Sequence, residues 1–191
     1  MNIFVLDEDP AQAAWDMCNK HVVKMIVESC QLLSTAHHVL DGIQITRTGK
    51  NGRKFSTYET TRKDFFFPPL LRCTMVNHPC TIWTRSSNLA YSWLWSHVKE
   101  MLKVYEVRYN KVHAYDSLVQ HSLIHKPKTI PITADLPPFA QAMPDQYKKE
   151  NAVEAYRAYY VNEKSRFAKW PDGKIPKWYL DGLQIPVTIP A

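Results

Sequence analysis

Residues 18–34, CNKHVVKMIVESCQLLS, carry apolar and polar side chains with the period of a helix rather than of a strand. At about 100° per residue, position 28 returns to within about 20° of position 21, and position 24 lies about 60° away. His21, Lys24 and Glu28 therefore share a polar stripe, which continues to Gln31 and His38. Val22, Ile26 and Leu33, with Val23, Val27 and Cys30, form the opposite side, so the segment reads as an amphipathic helix. Asp9 and Pro10 supply a start signal, and the Asp41-Gly42 pair a stop. Ahead of it, the apolar run NIFVL at residues 2–6 is β-prone and predicts a short extended arm.

Further along, Trp83, Tyr91, Leu94, Val98, Leu102 and Tyr105 recur at helical spacing and predict a second long helix from Pro79 to about Tyr109. SLVQHSLIH, capped by Asp116, predicts a third, and Asn151 opens a last clear helix to about Trp170. Residues 126–147 are proline-rich and read as extended chain packed by Phe139 and Met143, and the tail after Trp170 reads as irregular. Residues 41–76 read as a long basic loop ending in prolines. The expected fold is a mainly α, single compact helical domain over residues 1–191, with long Pro-rich loops.

The chain has 191 residues, 45% of them hydrophobic, enough for a sizeable core. No run approaches the length of a membrane span and the first residues lack a secretory pattern, so a soluble, cytoplasmic monomer is expected. The four cysteines have no CxxC spacing, as in a reducing compartment. Cys73, His78 and Cys80 are the nearest approach to a zinc set but lack a fourth ligand, so neither a metal nor a cofactor is expected.

A net charge of +6 favours an acidic partner. Residues 47–72 concentrate it, with Arg47, Lys50, Arg53, Lys54, Arg62, Lys63 and Arg72 against Glu59 and Asp64. The C-terminal region interleaves Tyr156, Arg157, Tyr159, Tyr160, Lys164, Arg166, Phe167, Lys169, Trp170, Trp178 and Tyr179. Aromatic faces stack on unpaired bases and cations meet phosphates, although core packing accounts for many such rings equally well. No Walker loop, GxGxxG, HExxH or GxSxG occurs. Acid and base chemistry remains: a helical carboxylate beside Lys24 and His21 suits stabilisation of a sugar oxocarbenium ion, or activation of water.

The stretch NKHVVKMIVE resembles the first-helix motif of the phage pyrimidine-dimer DNA glycosylases of the endonuclease V type. In those enzymes an acidic residue, a histidine and, seven residues later, the catalytic glutamate share one face. His21 and Glu28 match, whereas Asn19 stands where an Asp is usual. NHP at Asn77–Pro79 resembles a motif of broader bacterial relatives, IPKWY resembles the aromatic C-terminal DNA-contacting element, and Trp83, Arg85 and Asn88 fall in the right order. The resemblance implies a DNA glycosylase that flips out and excises a damaged or bulky modified pyrimidine from double-stranded DNA. The base would be a pyrimidine dimer or a hypermodified base such as glucosylated hydroxymethylcytosine, and the role repair or anti-phage defence. Catalysis would rest on Glu28, His21 and the Met1 amine. Asn2, Lys20, Lys24, Gln31, Asn77, His78, Arg85, Asn88, Trp178 and Tyr179 would contact substrate or DNA.

Two departures qualify this. The small family members lack the 41–76 insertion, which here could enclose an adduct. Their nucleophile is an amine exposed by removal of the initiator Met, and Asn2 disfavours that removal, so the sequence leans to water, with Met1 as the alternative amine and strand cleavage as its consequence. A base-modifying transferase and an inert DNA-binding module are the remaining readings.

Overall fold

A computed structural model describes residues 1–184. The helical register read around Glu28 holds, but it is divided. Asp9 caps a short helix α1 (Pro10–Trp15), its carboxylate accepting from the Ala11 amide. The chain then extends at Cys18 before α2 (Asn19–Leu40) begins. Tertiary bonds hold this break: the Cys18 amide donates to the Tyr160 hydroxyl, the Asn19 amide to the Lys169 carbonyl, and Arg108 to the carbonyls of Trp15 and Met17. Periodicity cannot register partners that lie more than ninety positions away.

The basic segment after α2 is not a loop. Gly42–Thr48 (β1) and Lys54–Thr60 (β2) pair antiparallel as a hairpin, with Thr48 opposite Lys54. Its turn uses Gly52 at φ +77°, a conformation open to glycine at little cost. At its base Gly42 passes so close to α2 that a Cβ would lie 2.1 Å from the His38 carbonyl oxygen. β1 and β2 are rich in Thr, Ile, Phe and Tyr, residues that favour strands, a signal masked by the cations of the surrounding segment.

The expected long second helix is two: α3 (Pro79–Ser86) and α4 (Asn88–Tyr109). Ser87 lies between them in extended conformation (φ −159°, ψ 159°), its hydroxyl capping the Ala90 amide. The predicted third helix is a single π turn, Leu118–Ser122. After it the chain runs extended through the prolines, where Phe139 packs against Trp83 and Trp93. Asn151 caps α5 (Ala152–Lys164), which stops six residues before the expected Trp170, and a short α6 (Lys177–Gly182) follows.

The core lies between α2 and α4, with α5 closing it across the N-terminal arm, and is filled by Ile26, Leu33, Tyr91, Leu94, Met101, Tyr156 and Tyr160. α1 packs on α4, and α2 packs on α3, α4 and the hairpin. Residues 3–6 are buried and outside regular helix or strand, so the N-terminal arm is part of this core. Ile3, Val5 and Leu6 are fully removed from solvent, each anchoring the arm by about 2 kcal/mol of apolar burial. Among the described residues no helix is long and apolar enough to cross a membrane.

Candidate functional site

The buried arm delivers the N-terminus to the exposed middle of α2. The Met1 amine lies 3.9 Å from Glu28 Oε2, and the Asn2 amide donates to the same oxygen at 3.0 Å. Lys24, one helical turn earlier, reaches the other carboxylate oxygen at 3.2 Å. Glu28 is only 14% exposed while Lys24 is 64% exposed, so the carboxylate is recessed beneath a mobile cation. Two basic groups and an amide thus face the carboxylate and fix its orientation.

Asn2 fixes this geometry. Its Oδ1 accepts from the amides of Ile3 (2.8 Å) and Phe4 (3.2 Å), and its Nδ2 donates to the Ala142 carbonyl at 2.8 Å. The resulting tight turn takes Phe4 to φ +46°, which brings its ring onto His21, centroids 4.5 Å apart. Asn2 is therefore a positioning residue for the terminal amine. The Ala142 carbonyl and Phe4 escaped sequence reasoning, for a backbone oxygen 140 residues away leaves no trace in pattern.

His21 does not face Glu28 in the way its spacing suggests. Its ring is 4% exposed, boxed by Phe4, Tyr160 and Phe167, and its Nδ1 has no hydrogen-bond partner among the described residues. Burial, reinforced by Lys164, Lys24 and Lys20, pushes its pKa down to about 3. The structure thus places His21, expected among the catalytic residues, as a buried ring packed beneath the arm. His38, also expected in the polar stripe, is buried too; its Nδ1 accepts from the Thr60 amide and its Nε2 donates to the Leu71 carbonyl. The stripe thus narrows to Lys24, Glu28 and Gln31.

His78 does belong to this neighbourhood. It caps α3, its Nδ1 accepting from the Cys80 amide. Burial lowers its pKa first, the terminal amine lowers it further, and Glu28 opposes both, so its ring senses the two groups at the centre of the site. Asn77 is exposed in the turn just before it. Cys80 is a buried core thiol, pushed up to about 11 by burial. Among the described residues no group of three or more His, Cys, Asp or Glu side chains is placed to hold a metal ion.

Other expected contacts are placed elsewhere. Arg85 donates to the Val76 carbonyl at 2.7 Å, and Asn88 ties the 131–133 segment to α4, accepting from the Thr133 amide. Lys20 is exposed, its ammonium 4.9 Å from the Phe167 ring. In the aromatic C-terminal region, Tyr156, Tyr160, Trp170 and Tyr179 are core residues, and Trp178 donates to the Asp16 carboxylate at 2.6 Å. These rings satisfy the packing explanation, not the base-stacking one. Asn19, at the position of the family's acidic residue, accepts from Arg108 instead.

The arrangement is an amine beside a recessed carboxylate, with Lys24 on the other carboxylate oxygen and His78 nearby. An amine so placed can attack an electrophilic sugar carbon while the carboxylate balances the charge that develops there. Comparison with known proteins returns no match among curated proteins and none among solved structures. The family model described as pyrimidine dimer DNA glycosylase matches residues 1–117, a span that runs from the terminal amine through α2 and α3 to the end of α4. Since that match covers more than half of the chain and contains Glu28 with its amine partner, the chain belongs to the pyrimidine dimer DNA glycosylase family.

Proposed function

We propose that this protein excises a damaged pyrimidine from double-stranded DNA as a step of repair, with the Met1 amine as nucleophile and Glu28 as the electrostatic partner. The observation that carries the reading is the pairing of the terminal amine with Glu28, 3.9 Å apart and held by the Asn2 turn. The target nucleotide is flipped out of the stack, a few kcal/mol being required and least where damage already weakens stacking. The amine nitrogen forms a bond to C1′ while the bond from C1′ to the base breaks, its electron pair leaving with the base, which takes up a proton. Glu28 offsets the positive charge on the sugar and then accepts the proton released from the attacking nitrogen. The nitrogen lone pair then opens the sugar ring, the C1′–O4′ bond breaking and O4′ taking the proton held by Glu28; the resulting imine at C1′ acidifies C2′, so loss of a C2′ proton and of the 3′ phosphate, and hence strand cleavage, follows. Lys24, Gln31, Asn77 and His78 surround the flipped nucleotide, and Lys20 extends the cationic rim.

The amine is preferred to water because the carboxylate already has a nitrogen nucleophile within reach. A damaged base is preferred to a glucosylated one because the hairpin, the candidate enclosure for an adduct, begins beyond the far end of α2. The test is incubation with duplexes carrying a pyrimidine dimer, glucosylated hydroxymethylcytosine or plain cytosine, with the released base and the DNA both weighed. On the dimer duplex one glycosidic bond should break and the strand should be nicked, the freed base staying tethered to its dimer partner. Release from glucosylated DNA alone would transfer the function to defence against modified phage DNA. A mass gain on the DNA would make the protein a transferase, and retarded mobility with no product an inert binder.

A further inference from the structure

The hairpin and the segment after it form a second cavity, of about 300 Å³, at the C-terminal end of α2. That volume lies at the lower edge of ordinary small-ligand pockets, about 300–1,000 Å³. Its walls carry the rings of Phe55, Tyr58 and Phe66 and the cations Arg47, Lys63 and Arg72. His38 joins both walls to α2, binding β2 through the Thr60 amide and the 66–73 segment through the Leu71 carbonyl. The Leu71 amide in turn donates to the Ser34 hydroxyl. The cavity is therefore built on the helix that carries Glu28.

Its charge is one-sided. Glu59 is the sole acidic residue of the lining, and it already pairs with Arg47 at 2.6 Å and Lys63 at 2.8 Å. Arg72 is exposed and makes no ion pair among the described residues. Phe55 is 49% exposed and Phe67, on the rim segment, 88% exposed, so apolar ring faces are left open beside an uncompensated cation. Flat apolar faces with a spare guanidinium match one chemistry: a planar heterocycle carrying a phosphate.

We infer that this cavity holds an unpaired nucleotide of the substrate DNA, at a distance from the target base, its ring against Phe55 and Tyr58 and its phosphate on Arg72. The inference rests on the DNA glycosylase reading and adds a second contact to it. Ten residues separate Glu28 from His38, about 15 Å along the helix at 1.5 Å per residue. With a rise of about 3.4 Å per nucleotide, the second nucleotide lies roughly four steps from the target. The hairpin, which from sequence is an adduct-enclosing loop, is thereby an opener of flanking DNA, and the enzyme selects sites whose neighbourhood already unpairs.

The test uses the full chain and dimer-containing duplexes in which one unpaired 2-aminopurine is placed one to six steps from the lesion on either side. Wild-type protein should change the probe's fluorescence only near four steps on one side, and should bind that duplex more tightly than a fully paired one. Phe55→Ala and Arg72→Glu, both at exposed side chains and checked for an unchanged melting temperature, should abolish that signal and weaken binding to the unpaired duplex about fivefold or more. A probe response unaltered by both substitutions, or uniform over all positions, overturns the second site. Nicking at the dimer by the wild type is read on the same duplexes: its absence alongside an intact probe response refutes the glycosylase reading and leaves the nucleotide site standing, whereas failure to bind DNA at all refutes both.

Discussion

Replacing Glu28 by Gln removes one charge and almost no volume from the centre of the site. The amide oxygen of Gln still accepts from the Asn2 amide, 3.0 Å away in the parent, so the arm keeps its anchor. Two charge interactions are lost, with the Met1 amine at 3.9 Å and with Lys24 at 3.2 Å. Lys24 is 64% exposed, and a pair screened to that degree contributes no more than about 1 kcal/mol. Weakening a charge-assisted bond to a neutral one costs about another 1 kcal/mol. The total of about 2 kcal/mol or less corresponds to a melting temperature lower by about 4–8 °C at most for a chain of this size. Base release is expected to suffer more. Deleting one electrostatic stabiliser of a transition state costs about 2.7–4 kcal/mol, a slowing of about 10²–10³-fold. Affinity for DNA should hold or rise, since a negative group facing phosphate has gone. The assay is single-turnover glycosidic cleavage of a dimer duplex at saturating protein, read as strand nicking, paired with thermal unfolding and a binding titration. A folded Glu28→Gln protein releasing base at the wild-type rate would refute the catalytic assignment and reduce the carboxylate to an anchor for the arm.

If the Met1 amine forms the covalent intermediate, borohydride should trap a protein–DNA adduct, and acetylating or extending the N-terminus should abolish trapping and nicking together; full excision by an N-terminally extended protein would assign the reaction to water. Three neutral buried histidines predict acid sensitivity: burial lowers His21 to about 3 and His37 and His97 to about 4, against about 6.5 when unfolded. Below pH 6.5 the unfolded chain takes up protons that the folded one refuses, so stability is complete above that pH and falls towards pH 4 by up to about 1.4 kcal/mol per unit for each histidine; denaturant unfolding at pH 7, 6 and 5 that gives one constant free energy would contradict their burial. Tyr179→Ala should cost about 3 kcal/mol or more by leaving a cavity beside Trp170 and Tyr160, with DNA affinity unchanged for folded protein, whereas a DNA-contacting ring would show the reverse. Affinity for duplex DNA should fall steeply between low and physiological salt as phosphate contacts release counterions, and a salt-independent constant would rule out a phosphate-based interface.

The amphipathic stripe of α2 was legible in the sequence because a helix writes its exposed face into positions three, four and seven apart, and Lys24, Glu28 and Gln31 follow that spacing. So were the caps at Asp9 and Asn151, which act on amides two or three residues away. The His-to-Glu interval carried the family resemblance, and the family match over residues 1–117 agrees with it. What the sequence could not show is which members of a polar face meet water. His21 and Lys24 share the stripe, yet the arm closes over His21 through Phe4 and leaves Lys24 in solvent. Tyr179 and Trp178 read as DNA-facing from composition, yet α6 docks the first into the core and directs the second to Asp16. The breaks at Cys18 and Ser87 and the hairpin in the basic segment likewise depend on partners far along the chain or on packing against α2. Local periodicity reports what a segment can bury, and only the folded chain decides what arrives to bury it. The meeting of the terminal amine with Glu28 belongs to that second kind: twenty-six residues separate Asn2 from the carboxylate, and it is the fully buried Ile3, Val5 and Leu6 that hold the two together.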